Sequence, residues 1–305
     1  MAEDAARAGE RAGHVDVGPE RPVLIRCTAP DALSNLIAVL ELAADGQVRC
    51  SATTKRPSAA TVKLVEDVLV AGDYYDAGEP IAAFAWPLLI RAGGLARQNG
   101  VRLELSPQGR ATLARPSYEA LGTLWARWLG GVSTDEMARI EAIKGQRRPG
   151  TLTSAATRRA AVAIGLAALE PGSWTGAGKL LTVLRTQRPR LVVARNLRAL
   201  WRLYLVDSYY GSLGHAGARA WEVIEGRYAL CVLLEYAATL GLIDVAYTDP
   251  RGARDDYRIL WGADELACLS RYDGLVAVRV NELGAAILHD PGALAGLGLP
   301  APRRS

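Results

Sequence analysis

The sequence predicts a mainly α chain with short β-hairpins, an α+β class, on three observations. Apolar residues recur at helical spacing through most of the 305 residues, as at Leu33, Leu36, Ile37 and Leu40. Asn99-Gly100 separates two extended runs, which is the strongest short hairpin signal. A strand, a capping residue, a glycine and an apolar helix face follow one another twice without gaps, in VRLELSPQGRATL (101–113) and VAVRVNELGAAIL (276–288). The chain is long enough for two domains, and its 50% apolar content suffices to bury a core in each.

The elements are expected in this order. Residues 1–20 lack periodicity and read as a disordered tail. Pro22–Cys27 is a short strand, and Asp31 caps a helix over Ala32–Ala44. Ser58 caps a helix over Ala59–Val70, with Val62, Val65, Val68 and Leu69 on one face. A helix over Ile81–Ala92 contains Pro87, which should kink or break it. The hairpin is Leu95–Gln98, the turn Asn99-Gly100 and Val101–Leu105, and Ser106-Pro107 opens the next helix. Helices follow over Tyr118–Leu129, over Asp135–Ile143 capped by Ser133 or Thr134, to Leu169 capped by Thr153 or Ser154, over Gly176–Thr186 and over Leu191–Val206. The last stretch is an apolar helix from Tyr228 to Leu240, a strand at Leu242–Tyr247, a polar insert, a strand at Leu275–Val280 and a helix opened by Asn281. Residues 291–305 read as a flexible tail.

Gly94-Leu95 corresponds to Gly241-Leu242, Ser106 to Asn281 and Gly109 to Gly284, so the sequence reads as two copies of one supersecondary unit. On IRAGGLARQNGVRLELSPQGR and YAATLGLIDVAY…VAVRVNELG the chain resembles winged-helix proteins, such as MarR/PadR-like regulators and the winged-helix modules of bacterial helicases. The resemblance covers roughly 31–115 and 150–290. It implies tandem winged helix-turn-helix domains with a role in DNA binding or a DNA complex, and brings no catalytic residue. The expected domains are 21–143, with a helical linker, and 144–290, carrying a basic helical segment.

The net charge of +4 is unevenly distributed. Residues 1–143 carry net −3 and residues 203–305 net −4, while residues 144–202 carry net +11 with Glu170 as their single acid. Such a segment suits a polyanion. Its cations are Lys144, Arg147, Arg148, Arg158, Arg159, Lys179, Arg185, Arg188, Arg190, Arg195, Arg198 and Arg202. On a helix, Arg195, Arg198 and Arg202 would fall within about 60° of one another. Lys144, Arg147 and Arg148 would form a flexible basic clamp, and Arg251 and Arg254 would be wing contacts.

The sequence carries no recognisable catalytic or cofactor motif. Around Gly178-Lys179 a phosphate loop would need glycine where Ser173 stands, and Ser or Thr where Leu180 stands. His14, His215 and His289 have no companions at ligand spacing, and no Gly-x-Ser-x-Gly elbow occurs. The four cysteines form no Cys-x-x-Cys pair, fit a reducing compartment and include Cys231 in an apolar helix. No apolar run reaches the roughly 18 residues of a membrane helix. The expectation is a cytoplasmic, bacterial, non-enzymatic protein without cofactor or metal that binds double-stranded DNA, as a transcriptional regulator or an accessory subunit of a DNA-processing system. The alternative is a protein-interaction or homodimerisation module without DNA contact of its own, and a third reading is a hydrolase or nuclease with a dispersed site.

Overall fold

A computed structural model of the protein describes residues 21–75, 80–131 and 135–289. The chain is of mixed α+β class, with helices dominant over two small antiparallel sheets among the described residues. The two expected tails and the cap expected at Ser133 or Thr134 lie outside the described residues. After β1 (Leu24–Arg26), the described residues within 27–134, 235–244 and 280–305 form one compact unit. Those within 1–26, 135–234 and 245–279 form another.

In the first unit α1 (Ala29–Ala44) begins earlier than Asp31, because Pro30 fits the first turn and Asp31 adds an acid there. Its buried positions include Leu33, Leu36, Ile37 and Leu40. The N-cap of α2 (Ala59–Val68) is Ser58, whose Oγ accepts from Thr61 N at 3.2 Å. The helix α3 (Ala82–Ala92) is capped from outside: the Asp73 carboxylate accepts from Ile81, Ala82 and Ala83 N–H groups at 3.1, 3.0 and 2.8 Å. Pro87 does not break α3, whose residues Ala82 to Ile90 are all buried. Packing against α1, α2 and α5 (Tyr118–Gly130) holds α3 in place.

The hairpin pairs β2 (Ala96–Asn99) with β3 (Arg102–Leu105). Its turn is Gly100-Val101, one residue later than expected. Asn99 stays in register opposite Arg102 and donates to Glu104 Oε1 at 2.9 Å. Arg49 bridges to Arg102 as a third piece of this sheet. Then α4 (Pro107–Ala114) starts at its Ser106 cap.

In the second unit a 3-10 turn (Glu136–Arg139) replaces the expected helix over 135–143, and Asp135 caps it. There α6 (Ala155–Ala167) is capped by Ser154, the second of the two expected candidates. A strand, β4 (Trp174–Gly176), takes the place expected for the start of the next helix, and α7 (Ala177–Thr186) follows it. The strand order is β1-β5-β6-β4, with β5 (Ile243–Tyr247) and β6 (Leu275–Val280) in the middle. The expected helix over Leu191–Val206 does not form. Val193 N–H donates to Glu225 Oε1, Thr153 N–H donates to Val193 O, and Leu152 bridges Ala194, all of which hold 191–194 extended. Asn196 then caps a single turn, α8 (Leu197–Leu200), with its Oδ1 accepting from Ala199 N at 2.9 Å.

The next helix runs unbroken through a π-helical stretch (Glu222–Gly226), α9 (Arg227–Cys231) and a second π-helical stretch (Val232–Ala237). From Val223 through Tyr236 it is buried all round, the thiol of Cys231 included. The last helix is α10 (Glu282–His289).

Two junctions of the first unit have the same hydrogen bonds. At one, Ser106 Oγ accepts from Gly109 N at 3.0 Å and donates to Gly94 O at 2.7 Å, while Ser106 N donates to Leu95 O at 2.9 Å. At the other, Asn281 Oδ1 accepts from Gly284 N at 2.9 Å and its Nδ2 donates to Gly241 O at 2.9 Å, while Asn281 N donates to Leu242 O at 3.4 Å. Gly94 and Gly241 both have positive φ, +75° and +81°. A Cβ on Gly109 would lie 2.0 Å from Leu95 O, and one on Gly284 would lie 1.9 Å from Leu242 O.

Candidate nucleic-acid interface

The acid-poor segment divides into buried and exposed cations. Arg158 and Arg159 on α6 are buried and turned away from solvent. Arg158 pairs with Asp135 at 2.7 Å and lies over the Tyr228 ring. Arg159 Nε donates to Glu136 Oε1 at 2.9 Å, and Tyr228 OH donates to Glu136 Oε2 at 3.0 Å. Burial holds the Glu136 carboxyl above its usual range against the pull of Arg159. Arg159 neutralises a buried acid and Arg158 a partly exposed one. The sequence hid this, because both acids lie more than twenty positions upstream.

Lys144, Arg147 and Arg148 are exposed on a loop that is tied at both ends. Lys144 and Tyr204 exchange backbone hydrogen bonds at 2.7 and 3.3 Å, and Leu152 bridges Ala194. The loop therefore lies along 195–203, and a Cβ on Gly145 would fall 2.0 Å from Arg202 O. Arg195 and Arg198 are exposed there and Arg202 is half-buried. Six cations thus meet on one stretch of surface, by strand-like pairing of two segments and not by helix periodicity. No carboxylate of the described residues pairs with any of the six.

The other predicted cations stand apart from this group. Lys179 is exposed on α7. Six residues on, about 120° around that helix, Arg185 pairs with Glu222 and approaches the Trp221 ring. Arg188 and Arg190 are exposed in the turn after α7. Arg251 is exposed and paired to Asp249 at 3.7 Å. Arg254 points inward, donating to the carbonyls of Asp273 and Leu275 at 3.1 and 2.9 Å. Burial, then repulsion from Arg227, lowers its pKa.

Two stretches carry the exposed aromatic surface, one expected as a helix followed by a loop and the other as a polar insert. The first is 187–221, between α7 and the long helix, and the second is 248–274, between β5 and β6. Trp201, Tyr209 and Tyr210 on the first, and Trp261 on the second, are 45, 74, 61 and 54% exposed. No other tryptophan or tyrosine is exposed. Tyr209 and Tyr210 meet edge to face at 5.1 Å, and Tyr210 meets Trp261 at 5.5 Å. A Cβ on Gly262 would lie 3.3 Å from Val206, so the two stretches pack together. The Asp207 carboxylate accepts from both the Tyr209 and Tyr210 N–H groups at 2.8 Å, which sets the turn and lowers its pKa. Trp201 belongs to the same loop, with its ring edge-on to His215 at 4.7 Å and its carbonyl held by Ser212 Oγ. The available sequence signal was Tyr209-Tyr210 and Trp261 inside loops, where aromatic side chains have no helix face to pack on.

The base of the second stretch is a buried charge cluster. Arg227 donates to Asp256 and, at 3.1 Å, to Asp273. Asp273 also accepts from Leu269 N and Ser270 Oγ at 2.9 and 2.8 Å. Burial alone would lower the Arg227 pKa, but Asp273 and Asp256 outweigh it and keep the guanidinium charged. Among the described residues no cluster of metal-ligating side chains occurs, and no helix is long and apolar enough to cross a membrane. Comparison with family models, with curated proteins and with solved structures finds no match for this chain.

Proposed function

We propose that the protein binds nucleic acid through Lys144, Arg147, Arg148, Arg195, Arg198 and Arg202, with duplex DNA contacted chiefly at its phosphates. The observation that carries this reading is the pairing of 144–152 with 194–204, which gathers six cations where no described carboxylate offsets them. Isolated like charges repel, and a phosphate backbone relieves that repulsion while releasing counterions. The same reading takes the chain as two winged-helix copies. Order supports it: α1, a bridge at Arg49, α2, α3, β2, β3 and α4 run parallel to α6, β4, α7, the 222–237 helix, β5, β6 and α10. Both third helices, the usual groove readers, are buried. Contact would therefore fall to the loop at 144–152 and the inserted stretch it pairs with, and would be weakly selective for sequence.

The test is an electromobility shift with duplex DNA at two salt concentrations, on the parent and on Arg195→Ala/Arg198→Ala/Arg202→Ala. Binding should weaken steeply with salt, and the triple variant should lower the salt slope by about one per phosphate contact removed. Unchanged low-salt affinity in the triple variant would refute the assignment. Burial of both third helices also favours a second reading, a protein-docking module whose arginines meet an acidic partner. No duplex shift at low salt, together with a dimer in light scattering, would move the assignment there.

A further inference from the structure

We infer that the ring cluster on the two inserted stretches stacks on unpaired bases, so that the preferred ligand is DNA carrying a single-stranded segment. The inference rests on the nucleic-acid reading and narrows its ligand. Four aromatic side chains stand in solvent at 45 to 74% exposure, three of them in ring-to-ring contact, while the chain's other tryptophans and tyrosines are buried or half-buried. Large exposed rings cost solvation unless something covers them.

The chemistry of the cover follows from what surrounds the rings. Trp201 lies between Arg198 and Arg202 in sequence, on the segment that gathers the six cations. Exposed rings on the same stretch as unneutralised guanidinium groups suit a ligand that offers π-faces and phosphates together. A closed duplex hides its base faces in the stack, and only unpaired bases can use such a platform. The rings are also held ready for this. Asp207 fixes the Tyr209-Tyr210 turn through two hydrogen bonds, Val206 lies against Gly262, and Arg227 with Asp256 and Asp273 anchors the stretch bearing Trp261.

The experiment measures affinity of the full-length protein by fluorescence anisotropy for three DNAs: a blunt duplex, the same duplex with a thymidine overhang, and that duplex with an abasic overhang. The thymidine overhang should bind about tenfold tighter than the blunt duplex. The abasic overhang, which adds phosphates without bases, should recover little of that gain. Trp201→Ala/Tyr210→Ala/Trp261→Ala should erase the preference and leave blunt-duplex affinity within about threefold of the parent. The matching phenylalanine variants, which keep a ring at each position, should restore it. Equal affinity of the parent for the blunt and thymidine-tailed duplexes overturns the inference, as does an abasic tail as good as the thymidine tail, or a preference that survives the triple alanine variant. In each of those cases blunt-duplex binding that depends on Arg195, Arg198 and Arg202 leaves the phosphate reading standing. Absence of binding to all three DNAs removes both.

Discussion

The Ser106 and Asn281 junctions share three hydrogen bonds at matching positions, yet the hairpins that lead into them differ. In the first, Gly100-Val101 joins β2 to β3 directly. In the second, residues 248–274 intervene between β5 and β6 and carry Trp261. A parallel difference precedes the hairpins: α2 and α3 are separated by a short connection, whereas α7 and the long helix are separated by 187–221. The shared part is backbone geometry that tolerates little change. The part that differs is surface, and it carries the exposed rings and three of the six gathered cations. This pattern is that of a constant structural frame with variable surface loops set on it.

The largest effect should come from breaking the shared frame. Gly109→Val and Gly284→Val each place a Cβ about 2 Å from a backbone carbonyl oxygen, that of Leu95 or Leu242 at the entry to the hairpin, with no flexible side chain to yield. Each should cost more than about 4 kcal/mol in urea unfolding, or prevent folding. If one variant is tolerated and the other is not, the two junctions are not equivalent. Next comes the anchor of the second stretch. Asp273→Ala leaves the buried Arg227 with Asp256 alone and strands Ser270 Oγ and Leu269 N–H. A loss of about 3 to 5 kcal/mol is expected. Arg251→Ala, which removes an exposed pair, should change stability by less than about 0.5 kcal/mol.

A third prediction concerns pH. Glu225 is buried, accepts from Val193 N–H, and is pushed by that burial to a pKa of about 7 from 4.5. The folded state therefore holds the proton more tightly than the unfolded chain. The stability this gives is complete below pH 4.5 and is lost as pH rises through about 7. The span is on the order of 3 kcal/mol. Glu225→Gln keeps an acceptor for Val193 N–H without the charge. The stability difference between variant and parent should favour the variant increasingly from pH 5 to pH 8, by about that amount. A difference that stays flat with pH would show that Glu225 does not titrate in this range.

The legible part of this structure was local. Ser58, Ser106, Ser154 and Asn281 were readable as caps because a helix start is fixed by residues within four positions. The correspondence of Gly94, Ser106 and Gly109 with Gly241, Asn281 and Gly284 was readable for the same reason. What failed was decided at long range. Leu191–Val206 has helical spacing, but Glu225 and Thr153 claim its backbone donors and acceptors from thirty or more residues away. Arg158 and Arg159 looked like polyanion contacts until Asp135 and Glu136 were seen beside them. The cation cluster survives in part, at Arg195, Arg198 and Arg202, for a reason the spacing did not supply: a loop from 144–152 folded along them.

A finer contrast separates the two junctions themselves. Ser106 makes two side-chain hydrogen bonds, with Gly109 N and Gly94 O. Asn281 makes three, adding a bond at 3.0 Å to Asp244, whose carboxylate also accepts from Thr28 N–H. Replacing Ser106 with alanine should cost about 1 kcal/mol, the usual value of a helix cap. Replacing Asn281 should cost about 2 kcal/mol, because a bond to a charged acceptor is lost as well. Asn281→Ser can keep the cap but cannot reach Asp244 as well, so it should fall between the two. Equal costs for the alanine variants would mean that Asp244 gains nothing from Asn281, and that the second junction is held by its cap alone, as the first is.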